Sequence, residues 1–173
     1  MGVFVIMVCG LCAVVFGHAV QHKILESKRF QAALLAYNIV PPKLVPTFAW
    51  ILVVCELVTC VGLLLLVPAA VLLACGMLAM YMIAMGVNII RGRTQIDCGC
   101  GDAPTPLSMA VLGRNATLIL LLLSVFYVAP VSLTSAVITV GVASAVVACV
   151  VYFAVEQLLR NKGTHQRLWL GVN

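Results

Sequence analysis

Two thiols separated by one glycine, Cys98-Gly99-Cys100, sit in the polar stretch Asp97-Cys98-Gly99-Cys100-Gly101-Asp102 of an otherwise very apolar chain. Cysteine reacts as its thiolate, and nearby positive charge favours that form. Arg91, Arg93 and Arg114 are the cations nearest in sequence, with Asp97 and Asp102 opposing them. Gly99 supplies the backbone freedom that a Cys-Gly-Cys ring needs. Strained disulfides are the oxidising, labile kind, so the pair suits dithiol–disulfide exchange better than a structural staple. The same thiolates also suit a soft metal such as copper(I), zinc or mercury. Two incidental loop cysteines are the plain alternative.

Glu56 is the second residue of interest, because it lies in the apolar run Val54-Cys55-Glu56-Leu57. A carboxylate at membrane depth costs a few kcal/mol and marks function by default. It would stay protonated, relay protons or pair with a cation, with Lys23 and Arg114 as the available partners. The blander role is to hold a helix bundle together. Asn88 and Arg114-Asn115 read as architectural residues that bond across helices. His18 and His22 are four apart and share a helix face, but interfacial, solvated histidines explain them better than a metal does. The other cysteines, Cys9, Cys12, Cys55, Cys60, Cys75 and Cys149, fall in apolar runs and read as small core residues. Cys9 and Cys12 share a helix face, whereas Cys55 and Cys60, five apart, do not.

The elements that must position these groups follow from composition. The chain has 173 residues, of which 64% are hydrophobic and 9% charged. Soluble domains have roughly 25% charged residues, so this is an integral membrane protein. Its net charge of +5 then bears on topology, and no nucleic-acid-binding pattern is present. A bilayer core about 30 Å thick needs about 20 apolar residues. Spans are expected over about 3–20, 46–67, 69–90, 111–128 and 133–158. The fold class is an all-α polytopic transmembrane bundle of four to five spans, since only the break at Ala129-Pro130 divides the last two. The whole chain forms one membrane domain. Phe30 to Val40 is too short to span and reads as an interfacial helix stopped by Pro41-Pro42. Pro68 marks a tight turn, and residues 91–108 form the loop that carries the two cysteines. The segment from Met1 has no basic residue before its apolar run and reads as a retained helix, not a signal peptide. The tail from Arg160 is polar and basic, with Trp169 as an interfacial anchor.

Five spans put the segment after the first span, the cysteine loop and the tail on one side. All ten Lys and Arg residues lie there or at its boundary. The positive-inside rule places that side in the cytoplasm.

The combination resembles the MauE (methylamine utilisation) membrane proteins, related to the DoxX-like group. The residues that carry the resemblance are Lys23, then Tyr37 followed by Pro41-Pro42, and Glu56 with Gly62-Leu63-Leu64. Arg91-Gly92-Arg93, Asp97-Cys98-Gly99-Cys100 and Arg114-Asn115-Ala116-Thr117-Leu118 complete it. The first and last spans match only as apolar segments. One departure is Gly101-Asp102, where the family pattern commonly has Phe-Gly. The resemblance implies a multi-pass protein of the bacterial inner membrane. It also implies a role in maturing the disulfide-rich small subunit of periplasmic methylamine dehydrogenase, beside a thioredoxin-like partner, MauD. Cys98 and Cys100 would be the redox pair. Glu56, Arg91, Arg93, Asp97, Arg114 and Asn115 would support it.

Three functions are therefore expected to compete. The first is a thiol–disulfide redox protein, an oxidoreductase whose circuit a quinone or a second cysteine pair would complete. The second is a soft-metal carrier that uses Cys98, Cys100 and the membrane cysteines. The third is a non-catalytic subunit of a membrane complex. A periplasmic disulfide role wants the cysteine loop outside, whereas the charge bias wants it inside.

Overall fold

The structure, a computed structural model, describes residues 1–99, 106–127 and 134–169, with side chains in the last helix described as far as Leu158. It is all-α. The helices are α1 (Gly2–Leu25), α2 (Ser27–Tyr37), α3 (Val45–Leu64), α4 (Pro68–Ile90), α5 (Met109–Ser124) and α6 (Ser135–Trp169). Single turns of 3-10 helix at Pro42–Leu44 and Val125–Tyr127 extend α3 and α5. Among the described residues, five helices are long and apolar enough to cross a membrane: Gly2–Leu25, Pro42–Leu64, Pro68–Ile90, Met109–Tyr127 and Ser135–Leu158. Helices satisfy their own backbone hydrogen bonds, which hydrocarbon requires.

The short helix α2 begins and ends earlier than the pattern Phe30 to Val40 suggests. Glu26 leaves helical geometry but its N–H still reaches the His22 carbonyl at 2.8 Å. The chain therefore bends without a loop, and α2 starts at once. Asn38 ends it in the left-handed conformation, φ 51°, which asparagine tolerates better than most residues. At the other end of the bundle, the turn between α3 and α4 closes through Leu66 at φ 55° and a Val67 N–H to Gly62 carbonyl bond of 2.9 Å. Pro68 then serves as a first-turn helix residue, where its missing N–H costs nothing. The break at Ala129-Pro130 and the side chain of Trp169 lie outside the described residues.

The helix α1 packs against both α3 and α6, while α4 bridges α3 and α5. The seam between α1 and α6 is close. A Cβ on Gly10 would lie 2.9 Å from the Ala145 methyl, and one on Gly141 2.8 Å from Ile6. Lipid tails are as apolar as the helices, so close packing at small residues drives association here.

Candidate functional site

The segment after α4 folds back onto α2. Its base is closed by an antiparallel bridge between Asp97 and Pro106 and by the Leu107 N–H on the Ile96 carbonyl at 3.2 Å. Arg29 of α2 holds Asp97 Oδ2 through Nε at 3.1 Å and Nη2 at 2.8 Å. Its Nη1 donates to Glu26 Oε2 at 2.8 Å. Partial burial works against the Arg29 charge, but the hydrogen bonds and charges of Glu26 and Asp97 outweigh it and raise its pKa. Asp97 Oδ1 in turn accepts the Gly99 N–H at 3.2 Å, the local bond by which aspartate builds turns. Tyr37 donates its hydroxyl to the Cys98 carbonyl at 3.4 Å. Gly99 has φ +68°, and a Cβ there would sit 3.5 Å from Phe30, in ordinary contact. Conformation, not space, is what calls for glycine at this position. Cys98 is buried, only 9% exposed, among Tyr37, Met85, Leu107 and Val111. Cys100 and Asp102 lie outside the described residues.

Beneath this segment lies an ion pair. Lys23, 3% exposed at the end of α1, donates to Oε1 of Glu56, 1% exposed in α3. Tyr81 of α4 donates its hydroxyl to the same oxygen at 2.7 Å and accepts from Lys23 Nζ at 3.3 Å. The Lys23 ammonium also stands 4.8 Å from the centroids of the Phe30 and Tyr81 rings, within reach of cation–π attraction. Lys23 is thus the bonded partner of Glu56. A cavity of about 200 Å³ touches both Lys23 of the pair and the cysteine segment. Lys23, Tyr81, Cys98 and Gly99 all form part of its wall.

Arg114 belongs to a second polar group. Its Nη1 bonds Glu156 Oε1 of α6 at 2.8 Å, and Nε and Nη2 both reach Asn115 Oδ1 at 3.3 Å. Arg91 and Arg93 are exposed after the end of α4. Arg29 bonds Asp97 next to Cys98, and Lys23 lines the same cavity as Cys98. Asn88 is fully buried and donates to the Tyr37 carbonyl at 3.4 Å and the Ala84 carbonyl at 3.0 Å, which fastens the end of α2 to α4. Glu56 Oε2 and Asn115 Nδ2 have no hydrogen-bond partner. Both residues line a cavity of about 40 Å³ with Arg114 and Glu156. That is enough room, and enough polar lining, for a water molecule.

The histidines do not match the expectation of solvated interfacial residues. His22 is buried and faces Glu26 Oε2 at 3.3 Å, while His18 stacks edge-on against Phe153 at 5.4 Å. Both turn inward because their helix face is the one α1 presents to its neighbours. The membrane cysteines pack in the main apolar core with Leu52, Leu63 and Leu118. Among the described residues, no three of His, Cys, Asp or Glu are placed to hold a metal together. Arg29 and Tyr81 escaped sequence reasoning. The first looked like one of several surface cations, and the second like another apolar-span aromatic.

A family model, methylamine utilisation protein MauE, matches residues 1–129. The methylamine utilization protein MauE of Methylophilus methylotrophus is 33% identical over 165 residues, covering 90% of this chain and 86% of the relative. That of Paracoccus denitrificans is 34% identical over 118 residues, covering 65% of this chain and 63% of the relative. That of Methylorubrum extorquens is 32% identical over 114 residues, covering 64% and 61%. No solved structure matches the chain.

Proposed function

The chain belongs to the MauE family, and we propose that it is a thiol–disulfide redox protein of the bacterial inner membrane that serves methylamine utilisation. Cys98 and Cys100 form the pair. In the oxidised state their disulfide is attacked by a thiolate of a client or of a thioredoxin-like carrier, giving a mixed disulfide. The second client thiol then attacks that bond. The client gains a disulfide, and Cys98 and Cys100 take up two electrons and two protons as a dithiol. The client that suits the family name is the disulfide-rich small subunit of methylamine dehydrogenase, in the periplasm.

One observation carries this reading. The Cys98 turn is held by bonds from Arg29, Tyr37 and Asp97 around a left-handed glycine. An incidental loop cysteine needs no such clamp. The reading requires the clamped end of the bundle to face the periplasm, against the charge bias. Replacement of Cys98 or Cys100 by Ser is expected to abolish disulfide formation in the client, read by gel shift after thiol alkylation. In the same cells, a membrane-impermeant maleimide should label Cys100 from outside. Unchanged client oxidation in both variants would sink the redox reading. Labelling only after lysis would move the reaction to the cytoplasmic face.

A further inference from the structure

A dithiol that has oxidised a client must lose its two electrons again, and the cavity beside Cys98 has the depth and chemistry for a particular acceptor. Depth comes first. Tyr81 lies nine residues before the end of α4, and Glu56 eleven residues after the start of α3. At 1.5 Å per residue these place Tyr81 and Glu56 roughly 13–17 Å from those helix ends, and Lys23 reaches them from two residues before the end of α1. That distance is about half the hydrocarbon thickness. The cavity therefore runs from the Cys98 turn down to acyl-chain depth.

Its lining is largely apolar and aromatic, with Phe30, Phe48, Leu52 and Met85 beside Cys98, Lys23 and Tyr81. Ile39 and Met80 are wall residues that are also exposed on the outer surface of the bundle, which is where lipid would be. A molecule dissolved in the bilayer can thus enter sideways. Lys23 uses two of its three N–H groups on Glu56 and Tyr81, so one remains for an acceptor in the cavity. About 200 Å³ is below the 300–1,000 Å³ of pockets that enclose whole drug-sized ligands. It suits a single substituted ring whose tail lies outside, among lipids.

We propose that this cavity binds the ring of a lipid-soluble quinone, with a ring carbonyl on Lys23 and the other toward Cys98, and that the quinone reoxidises the Cys98–Cys100 dithiol. The inference rests on the redox reading above. The step balances: the S–S bond forms, two S–H bonds break, and the two electrons and two protons end on the quinone oxygens as quinol. Charge on Lys23 favours the reduced ring, whose oxygens carry more negative charge in transit. Glu56 and Tyr81 are positioning residues that hold the ammonium in place.

The test uses the full chain in detergent micelles, reduced with dithiothreitol, desalted and kept anaerobic. Ubiquinone-1 is added, quinol is followed by absorbance, and thiols are counted by mass spectrometry. One quinol per chain, with loss of the Cys98 and Cys100 thiols, is expected. Oxidised glutathione serves as a second oxidant. Disulfide formation with glutathione but no quinol from ubiquinone-1 overturns the quinone site and leaves the redox reading intact. No reaction with either oxidant overturns the redox reading itself. Lys23→Met should raise the KM for ubiquinone-1 at least tenfold. Ala84→Leu, which fills the cavity from α4 without touching the ion pair, should do the same and keeps the test decisive if Lys23→Met does not fold. A wild-type KM in the folded variants would overturn the proposal.

Discussion

Among the described residues, two ion pairs lie within the membrane-spanning helices, and their surroundings differ. Lys23–Glu56 is almost fully buried, with side-chain exposures of 2% and 1%, while Arg114–Glu156 keeps 18% and 16%. The first joins α1 to α3, shares its acceptor oxygen with Tyr81 and borders the cavity under Cys98. The second fastens α5 to α6 and leans on Asn115. An arginine needs only an acceptor to tie two helices. A lysine at such depth, with a donor to spare and a cavity at its tip, is arranged to meet something else. Both pairs line the cavity of about 40 Å³, and of their four residues Lys23 alone also lines the larger cavity with Cys98; burial alone does not separate a strut from a site.

The sharpest way to break the contrast is Lys23→Met. It leaves the Glu56 carboxylate without its cation, a lesion that costs about 3–5 kcal/mol in buried pairs. Unfolding in mixed micelles would measure it. The double variant Lys23→Met with Glu56→Leu should recover most of that loss, because apolar replacement of a whole buried pair is often neutral. Failure to recover would mean that the pair itself stabilises the bundle, as a strut does. Arg114→Gln is the middle case. Loss of its charged hydrogen bonds should cost about 1.5–3 kcal/mol, and the rate of thiol exchange at Cys98 should not change. A fall in that rate would join the two groups into one site. Gly99→Ala has the smallest effect on stability. The left-handed conformation costs a residue with a Cβ about 1–2 kcal/mol, most of it confined to the turn. Faster alkylation of Cys98 would report the loosened clamp, and unchanged alkylation would show that Arg29 and Tyr37 hold it alone.

The bundle was legible because its signal is long and repeated. Runs near 20 apolar residues, closed by Pro41-Pro42, Pro68 and Arg91-Gly92-Arg93, leave little freedom to the fold. The cysteine motif and Glu56 were legible too, because polar groups stand out in such a chain. Their partners were not. Proximity in sequence pointed to Arg91, Arg93 and Arg114 as the cations around Cys98, and gave no hint that Arg29 would bond Asp97 or that Lys23 would share a cavity with Cys98 where α2 folds across the end of the bundle. That crossing depends on a bend at Glu26 that no proline or glycine announces. Tyr81 gives no signal of its own, since its hydroxyl matters only once α4 is set beside Glu56.

The seam between Gly10 and Ala145, and between Ile6 and Gly141, has a consequence in time. Chains are made from the N-terminus onward and fold as they emerge. The first helix therefore finds its ionic partner early, when α3 follows it, but must wait for the last helix to cover its small-residue face. Until α6 arrives, that notch lies open to the membrane. A ribosome stalled before Ser135 would hold an intermediate with the charge pair already closed and the seam still open.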